Sequence, residues 1–246
     1  MDQPLNQPLN QPLRQRYDLS RRAALASVGA LALTGLVRPT AATAASTVRL
    51  DNMPVALRPG TTQVVTCNRT GGFKARVVFW RLVDGAWRNE FLTTDGRIGY
   101  GGLVSPGKRR QGSGTTPMGT YGIPFTFGRW NRSAAWRMPY LTTVPGDYWV
   151  LDNDSRYYNR FRKRSDGGFR TAGSEHLVDY GDQYEMSAVL DFNYAAPVRH
   201  RGGAIFLHVN GRGATAGCVS VPRVMMGAVM REIQPGANPL VAIGDG

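Results

Sequence analysis

Histidine and cysteine are scarce in this 246-residue chain, at three and two. Neither type forms a C-x-x-C or H-x-x-x-H pair, so the spacing of a zinc site is missing and no metal or other cofactor is expected. Acidic side chains are also few. Seventeen Asp and Glu stand against thirty Lys and Arg, a formal charge of +13. That balance excludes an acidic solvating chain and favours anionic partners. Long apolar runs are lacking as well. The most apolar stretch, 23–37, is diluted by Ser27, Gly29, Thr34 and Gly35 and is too short to span a bilayer comfortably.

What surrounds that stretch gives it a meaning. Asp18-Leu19-Ser20-Arg21-Arg22 precedes it, and Arg38-Pro39 and Ala42-Thr43-Ala44-Ala45 follow it. The order of charged, apolar and small residues reads as an export signal. The arginine pair beside a serine points to the twin-arginine route. The Gln-Pro-Leu-Asn repeat over 3–13 is low-complexity and is expected to be disordered. Residues 1–45 are therefore set apart as a cleaved leader. The remainder keeps 25 basic and 15 acidic side chains, a formal charge of +10. Outside a cell, this charge suits wall polymers better than nucleic acid, and no stable membrane span is left. The basic run 160–164, interleaved with Tyr157, Tyr158 and Phe161, reads as a solvated loop.

About 200 residues suit one domain with a real core. Short apolar segments at 63–67, 75–81, 148–151, 186–192, 204–209, 218–221 and 240–243 read as strands, each bounded by turn residues. One strong helix is expected after Pro222, with Val224, Ala228 and Val229 on one face and Pro235-Gly236 ending it. A weaker helix is expected over 174–180. The fold class is mainly β, with mixed sheets or a sandwich and one or two packed helices. Residues 46–100 read as a strand-rich lead-in belonging to the same domain, with a hairpin at its edge. Residues 101–246 hold the motifs.

The chemistry concentrates in Ala204-Ile205-Phe206-Leu207-His208-Val209 and Thr215-Ala216-Gly217-Cys218-Val219. A strand that ends on a histidine can hold a base rigidly, and a glycine turn can present a thiol to it. In an exported chain, Cys67 and Cys218 invite a disulfide. The strand context of Cys67 and the glycine-flanked loop of Cys218 favour instead a buried Cys67 and a free, reactive Cys218. His176 beside Leu177 reads as a structural histidine, and His200 as a solvated loop residue.

These two segments, with Thr116-Pro117-Met118-Gly119-Thr120-Tyr121, Tyr157-Tyr158-Asn159 and Ser174-Glu175-His176-Leu177, resemble the L,D-transpeptidase catalytic domain family (YkuD type) over roughly 103–243. The resemblance implies a β-rich catalytic domain over 101–246 and peptidoglycan stem peptides as substrates. It implies Cys218 as nucleophile, His208 as general base and Gly217 as the glycine before the cysteine. Thr116, Gly119, Tyr121 and Ser220 are the substrate-binding candidates. In the family's motif a histidine stands where this chain has Ala216, and a polar Arg or Asn where it has Ser220. The expected reaction passes through a thioester, with the Gly217 and Cys218 N–H groups as oxyanion donors. A third group should orient the His208 ring; the sequence does not identify it, and a backbone carbonyl in the 209–215 segment would suffice. Two other readings stand beside this one. They are an L,D-carboxypeptidase or endopeptidase with the same nucleophile, and a catalytically silent wall-binding module.

Overall fold

A computed structural model describes residues 46–246. The leader and its Gln-Pro-Leu-Asn repeat lie outside the described residues. Ten strands form one mixed sheet. In chain order they are β1 (Gln63–Gly71), β2 (Lys74–Val83), β3 (Ala86–Arg97), β4 (Gly119–Gly122), β5 (Thr126–Gly128), β6 (Tyr140–Thr142), β7 (Ser187–Val189), β8 (Phe206–Val209), β9 (Val219–Val221) and β10 (Leu240–Gly244). Across the sheet the order is β6-β5-β7-β8-β9-β3-β2-β1-β10-β4. The pairs β5/β6, β8/β9 and β1/β10 are parallel, and the other neighbours are antiparallel. The fold is thus mainly β, as expected. The hairpins built from β1, β2 and β3 are not an edge feature. They fill the middle of the sheet between β9 and β10.

The side-chain alternation of strands places the site. Along β8, Leu207 and Val209 join one apolar cluster with Val219 and Val221 of β9. Phe206 points the other way, into a second cluster with Phe127, Trp149, Leu177, Tyr184 and Cys218. His208 is two residues from Phe206 and so shares its face. Ser220 opposite it keeps the parallel register with His208. The connection 210–218 between these parallel strands contains no helix, and it ends on the thiol.

The single α-helix among the described residues, α1 (Arg223–Glu232), covers the first cluster with Met225, Met226, Val229 and Met230. Two details differ from the sequence reading. Pro222 is the cap rather than the first helical residue, and Val224 is 83% exposed rather than on the packed face. Methionine fits the irregular gaps left by the β-branched residues of β8 and β9, so the methionines supply the packed stripe. The helix expected over 174–180 is instead a two-residue strand, Glu175–His176, followed by a 3-10 segment, Leu177–Tyr184. The segment is kinked at Gly181, where φ is 50°. The strand forms because its backbone pairs with Tyr148 and Trp149 of Asp147–Val150. The basic run expected as a loop also joins that strand, as Arg160–Lys163. Among the described residues no helix is long and apolar enough to cross a membrane.

Candidate active site

Cys218 and His208 line one cavity of about 520 Å³. The cysteine is held from three sides. Its S–H donates to the carbonyl of Ala204 (3.2 Å), and its sulfur accepts the Phe206 N–H (3.4 Å). The Thr215 hydroxyl donates to its carbonyl oxygen (2.7 Å). Ala204 is itself fixed by Asn159. The Asn159 side-chain oxygen accepts both the Ala204 N–H (3.1 Å) and the Trp149 indole N–H (2.7 Å), and its amide nitrogen donates to the carbonyls of Phe192 and Asn193. A buried amide with four partners makes a rigid anchor for the carbonyl that receives the thiol proton. Both cysteines are free, so the structure forms no Cys67–Cys218 bridge.

His208 is 3% exposed. Its Nδ1 lies 2.8 Å from the Val209 carbonyl. A carbonyl only accepts, so Nδ1 carries the proton and Nε2 keeps its lone pair. The Tyr184 ring stands edge-on to the imidazole, with centroids 5.2 Å apart. No hydrogen bond joins His208 to Cys218 among the described residues; the thiol is turned to Ala204.

Electrostatics decide the resting protonation. Burial pushes the Cys218 thiol up to about 12, and nearby Glu175 adds to this. The Phe206 N–H, the Arg109 cation and the Tyr184 hydroxyl oppose the shift more weakly. Burial also pushes His208 down to about 4, against the carbonyls of Val209 and Gln183. The pair is therefore neutral thiol and neutral imidazole at pH 7.

Gly217 has φ of +137°, which L side chains rarely adopt, and a Cβ there would press on Arg109 Nη2 (2.8 Å) and the Thr115 carbonyl (2.9 Å). Its N–H is already given to Thr215 Oγ1 (3.1 Å). That bond removes Gly217 from the expected oxyanion donors and leaves it a conformational role. The structure places the four substrate-binding candidates outside the cavity wall. Thr116 is fully buried; its hydroxyl accepts the Gly99 N–H (2.8 Å) and donates to the Cys218 carbonyl (3.4 Å). The Tyr121 hydroxyl donates to Met118 O (2.6 Å), and Ser220 Oγ donates to Asn210 Oδ1 (2.7 Å). Gly119 lies on β4, away from the thiol. Thr116 supports the backbone that carries the chemistry, and the Ser220 hydroxyl is spent on the Asn210 side chain. His176 is structural as expected, bonded to Asp179 and Gly146 and stacked on Tyr148. His200 is an exposed loop residue.

Arg109 and Tyr184 carry no signal in the sequence, and Glu175 stands there only inside a family-like segment, without a role. Arg109 is 4% exposed, its guanidinium lodged against Gly202 and Gly217. Its Nε and Nη1 are held by the carbonyls of Thr115 and Arg201, and Nη2 makes no hydrogen bond among the described residues. Glu175 and Tyr184 form a pair, with the hydroxyl donating to Oε2 (2.9 Å). Burial raises Glu175 to about 7, against Tyr184 and Arg109. No group of His, Cys, Asp and Glu side chains among the described residues is placed to hold a metal ion.

The model of the L,D-transpeptidase catalytic domain family (YkuD) matches residues 79–242, more than half of the chain. No curated protein matches the chain.

Proposed function

Since the chain belongs to the L,D-transpeptidase catalytic domain family, we propose that it is an exported cysteine acyltransferase that remodels or cross-links peptidoglycan stem peptides. The observation that carries this reading is a buried thiol and a tautomer-fixed imidazole on one cavity wall. The Cys218 sulfur attacks the carbonyl on the N-side of a terminal D-alanine while its proton passes to His208 Nε2. The C–N bond then breaks, the imidazolium returns the proton to the departing amine, and a thioester remains. A neutral resting pair suits this order of events, because charge appears only with substrate in place. Arg109 Nη2, a fixed cation next to Gly217, receives the carboxylate of the leaving D-alanine. The Cys218 N–H is the backbone donor for the oxyanion.

The basic surface fits a wall location, with the twin-arginine leader as the export route and anionic wall polymers as a holding partner. Sedimentation with purified walls should fall as salt is raised, because exposed charges are screened within about 10 Å at 0.1 M salt. The reaction is tested by intact-mass analysis after mixing with a stem tetrapeptide ending in D-alanine. The native protein should gain the mass of the acyl tripeptide and release D-alanine. Cys218→Ala should gain nothing, and turnover by that variant would refute the assignment. A carbapenem-type β-lactam should leave a stable adduct on Cys218 alone.

A further inference from the structure

The cavity has a single carboxylate among its described lining residues, Glu175. In this basic chain the other buried carboxylates have cation partners. Glu185 meets Arg223 (2.7 Å), Asp152 meets Arg170 (2.6 Å) and Asp147 meets Lys163 (3.4 Å). Among the described residues Glu175 has none within 4 Å, and its one side-chain hydrogen bond there is from the neutral Tyr184 hydroxyl. Oε1 is left without a partner among the described residues. Arg109, the cation of the same cavity, turns Nε and Nη1 to the carbonyls of Thr115 and Arg201 and forms no ion pair with Glu175. A half-buried carboxylate facing a cavity, with an oxygen unfilled, is a site for a cation brought in by a ligand.

Resting on the acyltransferase reading, we propose that Glu175 receives the ammonium of the acceptor stem peptide and takes its proton, so that the thioester is resolved by amine rather than by water. The ammonium gives one proton to the Glu175 carboxylate, and the freed lone pair attacks the thioester carbonyl. The new C–N bond forms, and His208 takes the second proton from nitrogen. The C–S bond breaks, and the departing thiolate recovers that proton from His208. The products are the amide, the Cys218 thiol and a protonated Glu175 that discharges to solvent. A carboxyl held near neutrality accepts an amine's proton at a smaller uphill cost than an ordinary one at about 4.5. Water brings no positive charge to pair with this carboxylate, so the site holds the ammonium in preference to it.

The test is the fate of an acyl-enzyme already formed, which does not depend on how fast it formed. Native protein and E175Q are mixed with a stem tetrapeptide donor and an excess of a stem tripeptide bearing a free side-chain amine. D-Alanine release, cross-linked dimer and trimmed donor are measured together. The dimer-to-trimmed ratio should fall about 10²-fold in E175Q, the usual worth of a positioned base. Hydroxylamine, an amine nucleophile already unprotonated at neutral pH, should still intercept the thioester of E175Q as well as that of the native protein. An unchanged dimer ratio overturns the proposal. So does a parallel loss with both nucleophiles, which would mark Glu175 as a structural support. Either result leaves the acyltransferase reading intact if D-alanine is released. Native protein that releases no D-alanine overturns that reading and this one with it.

Discussion

At the scale of single residues, burial holds both the thiol and the imidazole neutral, and Arg109, Glu175 and Tyr184 tune the thiol. Strand, turn and spacing make the pair itself legible in the sequence, but not the groups that tune it. Arg109 sits in Lys108-Arg109-Arg110, which reads like any surface basic run, and only its 4% exposure sets it apart. Glu175 and Tyr184 come from a third segment, brought to the thiol by strand pairing that no local pattern encodes. Their effects can be measured. With the thiol near 12, hydroxide cannot replace the base in the working range. His208→Ala should therefore lose about 10²–10⁴-fold in single-turnover acylation. The deficit should narrow as hydroxide raises the thiolate fraction but persist at pH 9, whereas full recovery by pH 9 would mean the thiol is far more acidic. Stability gives an independent reading. His208 is lowered from 6.5 to about 4, so its contribution is full above 6.5 and is lost as pH falls toward 4. Glu175 is raised from 4.5 to about 7, so its contribution is full below 4.5 and is lost as pH rises toward 7. Between 4.5 and 6.5 the two slopes oppose each other. Removing one carboxyl by Glu175→Gln should unmask the other. Urea unfolding of that variant should gain roughly 2–3 kcal/mol over the native protein's change between those two pH values, at about 1.4 kcal/mol per unit.

At the scale of elements, the readable strands were those with continuous apolar runs. β8, β9 and β10 are buried on both faces and, apart from His208 and Ser220, read as apolar runs. The longest strand, β3, was missed because most of its residues are polar and partly exposed, and its position depends on pairing with β2. Two- to four-residue strands such as Glu175–His176 are set by their partners and leave no pattern of their own. Asn159 shows the same limit. Its triplet was visible as part of the family resemblance, but its task as anchor of the Ala204 segment emerges only when four distant groups converge on it. Asn159→Ala should destabilise by about 2–4 kcal/mol, since it strands buried partners without replacement. It should also slow acylation beyond what the stability loss explains, because the carbonyl holding the Cys218 proton is released. Thermal melts and acylation rates on the folded fraction separate the two effects. Normal acylation in the folded fraction would mean that Ala204 holds its place without the amide.

At the scale of the whole molecule, the last strand of the sheet in chain order pairs with the first. β10 runs parallel to β1, from Leu240 opposite Val64 to Gly244 opposite Asn68. Such long-range pairing has no sequence signature, which is why the lead-in looked like an edge hairpin. It also means that the family's matched region, 79–242, begins inside β2 and omits the strand on which β10 depends. A fragment starting at residue 73 keeps Cys218, His208, Glu175 and Arg109. It loses Val64, Val65 and Cys67, all fully buried, and leaves the facing edges of β2 and β10 unpaired. Two adjacent open edges in the middle of a sheet invite aggregation, and the apolar area lost exceeds what a domain of this size can spare. That fragment should express as aggregate or as a species without near-ultraviolet circular dichroism. The 46–246 fragment, which retains β1, should melt cooperatively. If the shorter fragment folds and acylates on stem tetrapeptide, the sheet closes by another pairing and β1 is dispensable to the site.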